Sequence, residues 1–310
     1  MSGRPMSVHD FEPTRFHVTI GSHEPALRVA SGDTIRSWCV DSGGYDRNGE
    51  QITDGGNPQS GPVYVEGAEP GDTLRVRFDR LQPNRTRGVT GPLVAAHVVD
   101  PHFVPELRAD ADEFWWTLDL ERSTARLEDP PPGLESLGEL PLEPMLGCFG
   151  VAPPRGQAIS TATSSTHGGN MDYRGFREGV AVDLPVSVEG ALLHFGDGHA
   201  LQGDGEIVGT GIEVSMDVEL TVEVVKGRTI GWPRAEDETF VMAVGNARPL
   251  DQALQHATTE LLRLLQQDFG LGYAPGSTLL GQCIRYEIGN VYDPAYTVVA
   301  KVEKALLERL

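Results

Sequence analysis

Hydrophobic and polar residues alternate through one long stretch of the chain, residues 208–224. Its even positions read V, T, I, V, M, V, L, V, V, and its odd positions read G, G, E, S, D, E, T, E. A period of two residues is typical of a β-strand that buries one face. The pattern predicts one long strand, or a bent pair of strands, with Glu213 on the polar face.

Shorter β-branched runs between Gly, Pro and Asp residues predict further strands of a β-sandwich. These runs include FHVTIG, PALRVASGDTIRSWCVDS, GPVYVEGAEPGDTLRVRFDRL and GVAVDLPVSVEGALLHFG. The segment PVYVEGA recurs later as PVSVEGA. Either a sandwich unit is duplicated, which would put Asp72 and Asp197 at equivalent turns, or turns that lead into strands have converged.

Helical periodicity is clear only near the C-terminus. In PLDQALQHATTELLRLLQQDFG, apolar residues at 250, 254, 257, 261 and 265 fall on one face, and Gly270 follows as a stop signal. The final segment predicts either a second helix from about Pro294 or a strand that ends in a helix. These features indicate a mainly β protein with a C-terminal helix.

A proline-rich, acidic segment interrupts this pattern at residues 107–145 and predicts an irregular excursion or junction. We therefore expect a β-rich unit at 1–106, the excursion, and a second β-rich unit with the C-terminal helix at 146–310, intimately joined. Exposed strand edges and an amphipathic helix favour a homo-oligomer, a dimer or larger.

Composition and charge narrow the partners. The formal charge is −20 and basic residues are scattered singly, which excludes nucleic acid. No apolar run is long enough to cross a membrane and the N-terminus lacks the apolar core of a signal peptide, so we expect a cytoplasmic protein that does not bind membranes. The three cysteines are far apart, which excludes a disulfide framework. Cys148 is either a buried thiol or a nucleophile.

Titratable residues are concentrated in GDGHALQGDGE. Asp197 and His199 are two residues apart, as are Asp204 and Glu206, so in an extended chain each pair projects to one side. Such groups suit a bound cation or general acid–base chemistry. The alternative is a series of Asp-Gly turns.

Two further clusters carry candidate chemistry. In STHGGNMD, His167 and Asp172 flank a Gly-Gly pair and Asn170, which leaves metal binding, substrate binding and a turn open. Asp41 ends a predicted strand before another Gly-Gly pair, where site residues often project. A third group in AHVVDPHF offers His97, Asp100 and His102, which can share a site only through the Asp-Pro turn.

Taken together, these motifs resemble the acetamidase/formamidase family over most of the chain. The resemblance rests on HGGNMD, PVSVEGA, GDGHALQGDGE and GTGIE, with support from NPQSGPVYVEGAEPGDTLRV and EIGNVYDPAYTVVAKVEKALL. It implies jelly-roll-like sandwich units with a smaller α/β portion in the second unit, at the C-terminal side. It also implies hydrolysis of small amides such as formamide and acetamide to ammonia and a carboxylic acid, and a divalent metal, zinc or calcium.

We assign roles to the matching residues as hypotheses. Glu206 is the expected general base and later acid, with His199 and Asp204 as the other catalytic groups. A cation would be held by Asp41, His167 and Asp197. Substrate contacts are expected from the remaining residues, with backbone N–H groups of the glycine pair facing the oxyanion: Gly168, Gly169, Asn170, Asp172 and Glu213.

Alternative functions stay open at this point. The middle segment AHVVDPHFVPELRADADEFWW differs from the commonest formamidases, so the enzyme could act on a larger amide or another C–N bond through a wider pocket lined by that segment. A metal-stabilised protein that binds a small molecule without turnover is the second alternative. An amidase that uses the Cys148 thiol is the third.

Overall fold

The computed structural model describes residues 6–108 and 112–310. Residues 1–5 belong to the stretch on which the signal-peptide argument rests and 109–111 to the predicted excursion; both lie outside the described residues. The strands are, in chain order, β1 (Val8–Asp10), β2 (Thr19–Ile20), β3 (Leu27–Ala30), β4 (Thr34–Cys39), β5 (Ser60–Glu66), β6 (Thr73–Pro83), β7 (Arg87–Thr90), β8 (Phe114–Asp119), β9 (Thr124–Leu127), β10 (Glu139–Pro141), β11 (Met145–Val151), β12 (Ile159–Ser160), β13 (Ser164–Ser165), β14 (Gly168–Asn170), β15 (Ala181–Pro185), β16 (Leu193–His199), β17 (Met216–Val225), β18 (Arg234–Glu236), β19 (Phe240–Ala247), β20 (Arg285–Asn290) and β21 (Tyr296–Glu303). The helices are α1 (Leu250–Phe269), α2 (Tyr273–Cys283) and α3 (Lys304–Leu307).

Two large sheets form a sandwich, which confirms the predicted mainly β architecture. One has the order β1-β4-β17-β6-β15-β18-β19-β21-β20 and the other β13-β14-β11-β16-β5-β3. Apolar side chains of both sheets form one buried core, in which the rings of Phe78 on β6 and Phe149 on β11 meet edge to face at 5.0 Å. Strands from before residue 106 and after 146 mix in both sheets, so the two predicted units share this core. Their boundaries stay a prediction.

The α/β portion covers the β19–β21 end of the nine-stranded sheet. Residues of α1, including Ala257 and Leu261, form a second core with β19, β21 and α2. Gly270 ends α1 with a left-handed φ of +67°, as the stop signal predicted. Leu254, expected on the buried face, is 39% exposed because Ala253 faces the sheet instead.

The end of the chain follows the second alternative, a strand (β21) that ends in a short helix (α3). The helix α2 was not predicted, because its sequence contains two glycines and a proline. Among the described residues, no helix is long and apolar enough to cross a membrane.

The predicted excursion is partly regular. Strands β8, β9 and β10 lie within residues 107–145 and form a small antiparallel sheet with β7, in the order β10-β9-β8-β7. The prediction of an irregular segment is wrong for these strands. Its proline and acidic content reflects the loops between them, while aromatic and threonine residues in FWWTLD form β8.

Two other strand predictions also need correction. The alternating pattern at 208–224 becomes a strand only from Met216 onward, because Glu213 is buried beside His199 and the chain turns there. The repeat does not put Asp72 and Asp197 in equivalent places. Asp72 lies in the turn before β6, where it pairs with Lys226 at 2.7 Å, whereas Asp197 lies within β16.

Candidate active site

A buried cluster of acidic side chains lies around one imidazole at the end of β16. We call Asp172, Asp197, Glu206 and Glu213 the carboxylate cluster; His199 lies among them. All five residues are at most 5% exposed. β16 supplies Asp197 and His199, and the segment after β14 supplies Asp172. A single turn of 3-10 helix at Asp204–Glu206 brings in Glu206.

A glycine on the neighbouring strand makes room for these groups. A Cβ atom added at Gly147 on β11 would contact Asp172 Oδ1 and lie 2.7 Å from Asp197 Oδ2 and 3.1 Å from His199 Cε1. No other side chain fits at this position without moving the carboxylates. The sequence MLGCFG therefore has a glycine where three functional side chains converge.

His199 is held on both sides of its ring. Its Nδ1 lies 2.8 Å from Gln202 Oε1, while Nε2 lies 2.8 Å from Glu213 Oε1 and 3.4 Å from Asp197 Oδ1. Burial lowers the pKa of His199, but the charges of Glu213 and Asp197 outweigh this effect and hold the pKa well above its usual range. Nε2 therefore faces two carboxylates, an environment that favours either a proton or a cation at this nitrogen.

One amide joins the other side of the cluster. The Asn290 side-chain Nδ2, at the end of β20, lies 2.6 Å from Asp172 Oδ2, 3.1 Å from Glu206 Oε2 and 2.8 Å from Asp293 Oδ2. Burial raises the pKa of both Asp172 and Glu206 well above the usual range. The charge of Asp197 adds to this effect at Asp172, and the charge of Asp172 adds to it at Glu206. These two groups consequently favour the protonated form in the absence of a cation.

The backbone at three of the carboxylates is strained. Asp172, Asp197 and Glu206 have φ values of +42°, +64° and +46°, in the left-handed region. Non-glycine residues in that region cost on the order of 1–3 kcal/mol each and persist where surrounding contacts enforce them. Strain at three residues of one buried cluster is typical of a functional site.

The donor atoms of the cluster fit a divalent cation. Asp197, His199 and Glu213 each offer a ligand atom within 4.8 Å of the others, and so do Asp172, His199 and Glu206. Asp172 Oδ1 and Glu213 Oε2 are buried and have no hydrogen-bond partner within residues 6–108 and 112–310. Uncompensated buried carboxylates are costly, and carboxylate oxygen with imidazole nitrogen suits zinc, manganese or calcium in different subsets.

Two of the three predicted metal ligands lie outside these groups. Asp41 Oδ2 accepts a 2.5 Å hydrogen bond from Arg85, and Asp41 Oδ1 accepts bonds from the backbone N–H of Gly43 and Tyr45. His167 is buried, neither of its ring nitrogens has a hydrogen-bond partner among the described residues, and burial lowers its pKa to about 4. Asp197 is the member of the trio that joins the carboxylate cluster.

The structure also separates Asp204 from Glu206. The Asp204 side chain is 61% exposed, 3.8 Å from Arg174, while Glu206 is buried. Strand parity would have put both on one face, but the 3-10 turn separates them. The catalytic role predicted for Asp204 therefore loses its geometric basis.

The predicted oxyanion donors lie in a strand. Gly168 and Gly169 belong to β14, which is hydrogen-bonded between β11 and β13. A Cβ at Gly168 would lie 2.5 Å from Phe149 O, and both residues have left-handed φ values of +91° and +100°. Close backbone approach explains the glycines, which corrects the prediction that they face the substrate.

Amide side chains that the sequence analysis did not single out complete the site. Asn57 Nδ2 donates to Asp197 Oδ2 at 2.9 Å and to Asn170 Oδ1 at 2.7 Å, and Asn170 Nδ2 donates to Asp293 Oδ2 at 2.5 Å. Asn170 thus lies at the edge of the cluster. Asn57 and Asn290 fall in the quoted motifs NPQSGP and EIGNVYDP, whose polar residues were the available signal.

Two other candidates lie apart from the carboxylate cluster. His97 Nε2 lies 2.7 Å from the Val291 carbonyl oxygen, and Asp100 and His102 are exposed. The Cys148 thiol is buried, 3.7 Å from the Thr161 carbonyl oxygen, and burial raises its pKa well above the usual value. A thiolate nucleophile is therefore disfavoured.

Comparison with known proteins identifies related sequences and structures. Residues 151–237 match the model of the Acetamidase/Formamidase family. The acetamidase of Mycolicibacterium smegmatis is 30% identical over 216 residues, 54% of this chain and 53% of that protein. The chain spans between half and two thirds of the length of the curated relatives it matches.

Solved structures match over nearly the whole chain. The acetamidase of Yersinia enterocolitica is 30% identical with a TM-score of 0.83, covering 99% of this chain and 94% of that one. A predicted acetamidase/formamidase from the thermophile Thermoanaerobacter tengcongensis is 29% identical with a TM-score of 0.82, covering 98% of both chains.

Proposed function

The chain belongs to the acetamidase/formamidase family, and from this premise we propose that it hydrolyses a small linear amide to ammonia and a carboxylic acid. The observation that carries the proposal is the buried carboxylate cluster around His199, which combines acid–base groups with cation ligands. Amide hydrolysis needs both: an activated water with a polarised carbonyl, and a proton for the leaving nitrogen.

A divalent cation, zinc or calcium, would be held by Asp197, His199 and Glu213. When bound, it would polarise the amide carbonyl or lower the pKa of water. The ring of His199 suits this role because Nδ1–H donates a hydrogen bond to Gln202 Oε1, which leaves Nε2 to act as a ligand. The role of Asp197 as a ligand is retained from the sequence prediction.

Glu206 is the proposed general base and acid. Burial raises its pKa well above the usual range, and Asn290 fixes one carboxyl oxygen. As water attacks the carbonyl carbon, Glu206 takes the water proton. It then returns that proton to the amide nitrogen as the C–N bond breaks and ammonia leaves. Asp172 Oδ1, which has no hydrogen-bond partner in the part of the chain that the structure describes, is the proposed acceptor for a substrate N–H group.

Ammonia release from formamide and acetamide tests the proposal, with chelator-treated and metal-restored protein in parallel. The expected result is release that chelation abolishes and one metal restores, together with one bound metal per chain by elemental analysis. His199→Gln should lose the bound metal, whereas Asp204→Asn, on the exposed side of the same turn as Glu206, should retain both metal and activity. Metal-loaded, folded protein that releases ammonia from no amide would favour binding without turnover.

Assembly and location are further proposals. We propose a homo-oligomer, a dimer or larger, in the cytoplasm, with neither nucleic acid nor membrane as a partner. The unpaired cysteines support the cytoplasmic location, and the strongly negative net charge supports the absence of nucleic acid as a partner. Light scattering of the purified protein would test the first.

A further inference from the structure

A cavity of about 410 Å³ adjoins the carboxylate cluster, with Glu213 in its wall. Pockets of about 300–1,000 Å³ enclose drug-sized ligands, whereas formamide and acetamide have only three and four non-hydrogen atoms. The cavity therefore has space beyond what such small amides fill.

The small sheet supplies the distal wall of this cavity. Glu213 forms β-bridges with both His199 and Val89, and Val89 pairs with Trp115 on β8. Residues directly opposite one another in antiparallel strands project to the same face. Trp115 is thus on the face of Glu213, two strand spacings or roughly 10 Å away.

The indole of Trp115 offers a ligand an aromatic surface at that distance, and neighbouring side chains restrict its movement. Its side chain lines the cavity and the residue is 36% exposed. The Arg87 guanidinium lies over the indole, 4.1 Å from its centroid, and forms three hydrogen bonds with Glu128 at 2.9, 3.1 and 2.8 Å. These contacts restrict the side chains that a ligand would meet, which lowers the entropic cost of binding.

The charges in the cavity disfavour an anionic ligand. Both of its arginines are already paired, Arg85 with Asp41 and Arg87 with Glu128. Exposed Asp112 and Glu113 also line the cavity. A neutral acyl group would enter without being repelled, whereas a carboxylate would find no unpaired cation among these residues.

We propose that the enzyme prefers a neutral primary amide whose acyl group carries an aromatic ring on a short alkyl chain. The amide lies against the carboxylate cluster and the ring contacts Trp115. This inference rests on the proposed amide hydrolysis but adds a substrate class to it. Trp115 and the small sheet would then determine specificity without taking part in the chemistry.

Steady-state kinetics with acetamide and 3-phenylpropionamide test the proposal, alongside calorimetric binding of 3-phenylpropionamide to the metal-free protein. For the wild type, kcat/KM should be higher for the phenyl amide by at least roughly tenfold, the upper end of what one aromatic contact contributes apart from its buried area. Trp115→Ala should lower the ratio of the two kcat/KM values by about the same factor, and Trp115→Phe by less.

Tyr64→Ala is the matched control, because Tyr64 also lies on a strand under an arginine, Arg28, but outside the cavity. It should leave the ratio unchanged. A wild type that prefers acetamide, or a ratio unaffected by Trp115→Ala, would overturn the inference. Calorimetric binding that depends on Trp115, with no turnover of either amide, would support the aromatic site and contradict the proposed hydrolysis. Turnover of acetamide alone, without phenyl amide binding, would support the proposed hydrolysis and contradict the aromatic site.

Discussion

His199 and Glu213 are joined twice, once through their side chains and once through their backbones. Nε2 lies 2.8 Å from Oε1, and the backbones of the two residues form a β-bridge. The bridge holds the two side chains in register, so their separation depends on the sheet as well as on the side-chain contact. This arrangement is the rigid base on which the proposed acid–base and cation chemistry rests.

Replacing the proposed base should remove most of the activity. Glu206→Gln retains the size of the side chain but cannot accept the water proton, so kcat should fall by about 10²–10⁴-fold. Ammonia release from acetamide measures the effect, and circular dichroism checks the fold. Asp204→Asn is the control. Wild-type turnover by folded Glu206→Gln would assign the base elsewhere.

A methyl group at Gly147 should disrupt the carboxylate cluster. Gly147→Ala places a Cβ against Asp172 and Asp197, which should lower activity by on the order of 10²-fold through misplacement and lower the unfolding free energy by about 1–3 kcal/mol. Gly281→Ala in α2, where an added Cβ meets no atom within 4 Å, should instead be neutral or stabilising by up to about 1 kcal/mol. Kinetics and urea denaturation compare them; equal effects would contradict the argument.

Two buried histidines should make the protein less stable in acid. Burial lowers the pKa of His167 to about 4; burial, followed by the nearby His17, lowers that of His194 to about 3. In the unfolded chain both rings have a pKa of about 6.5 and bind protons below that pH, whereas in the folded chain they stay neutral there. Their stabilisation is therefore complete above about pH 6.5 and is lost as the pH falls towards 4, by about 1.4 kcal/mol per pH unit for each group.

Denaturation between pH 7 and 4.5 measures this loss. His194→Asn retains a polar group near the Leu192 carbonyl oxygen, which accepts from Nδ1 in the wild type, and should flatten the pH dependence by one proton. Exposed His102→Asn is the control and should leave the slope unchanged. An unaltered slope in His194→Asn would show that this ring titrates normally.

Alkylation should not inactivate the native enzyme. Cys148 is fully buried, its pKa is raised well above the usual value, and Cys39 is buried with its pKa raised to about 12. Iodoacetamide should therefore label Cys283, which is only half-buried, before the other two. Mass spectrometry with parallel activity assays checks the order. Activity loss in proportion to Cys148 labelling would restore the thiol mechanism.

Local patterns predicted the parts of the fold that depend on local interactions. The helix over Leu250–Phe269 and its glycine stop follow from periodicity and backbone freedom, which act within a few residues. The strands of the small sheet were missed because their short apolar runs lie between acidic and proline-rich loops. The alternation at 208–224 predicts one long strand or a bent pair, because a period of two continues through a turn that only the buried His199–Glu213 contact reveals.

The sequence predicted the kind of side chains in the site better than it predicted which individual residues form it. His199, Glu206 and Asp197 stood out as titratable residues among glycines, and all three are buried together. The contact of Asn290 with the cluster could not be derived, because Asn290 is 84 residues from Glu206 and only the folded chain brings the two together. Asp41 looked similar to the cluster residues, but its pairing with Arg85 is a long-range contact.

The bridge between Val89 and Glu213 has a consequence for how this enzyme could diversify. The small sheet meets the carboxylate cluster through a backbone contact, which any side chain at position 89 can make. Mutations could therefore accumulate in the small sheet and change the lining of the cavity while the carboxylate cluster stays in place. The fold thereby allows the shape of the cavity to evolve independently of the buried acidic residues.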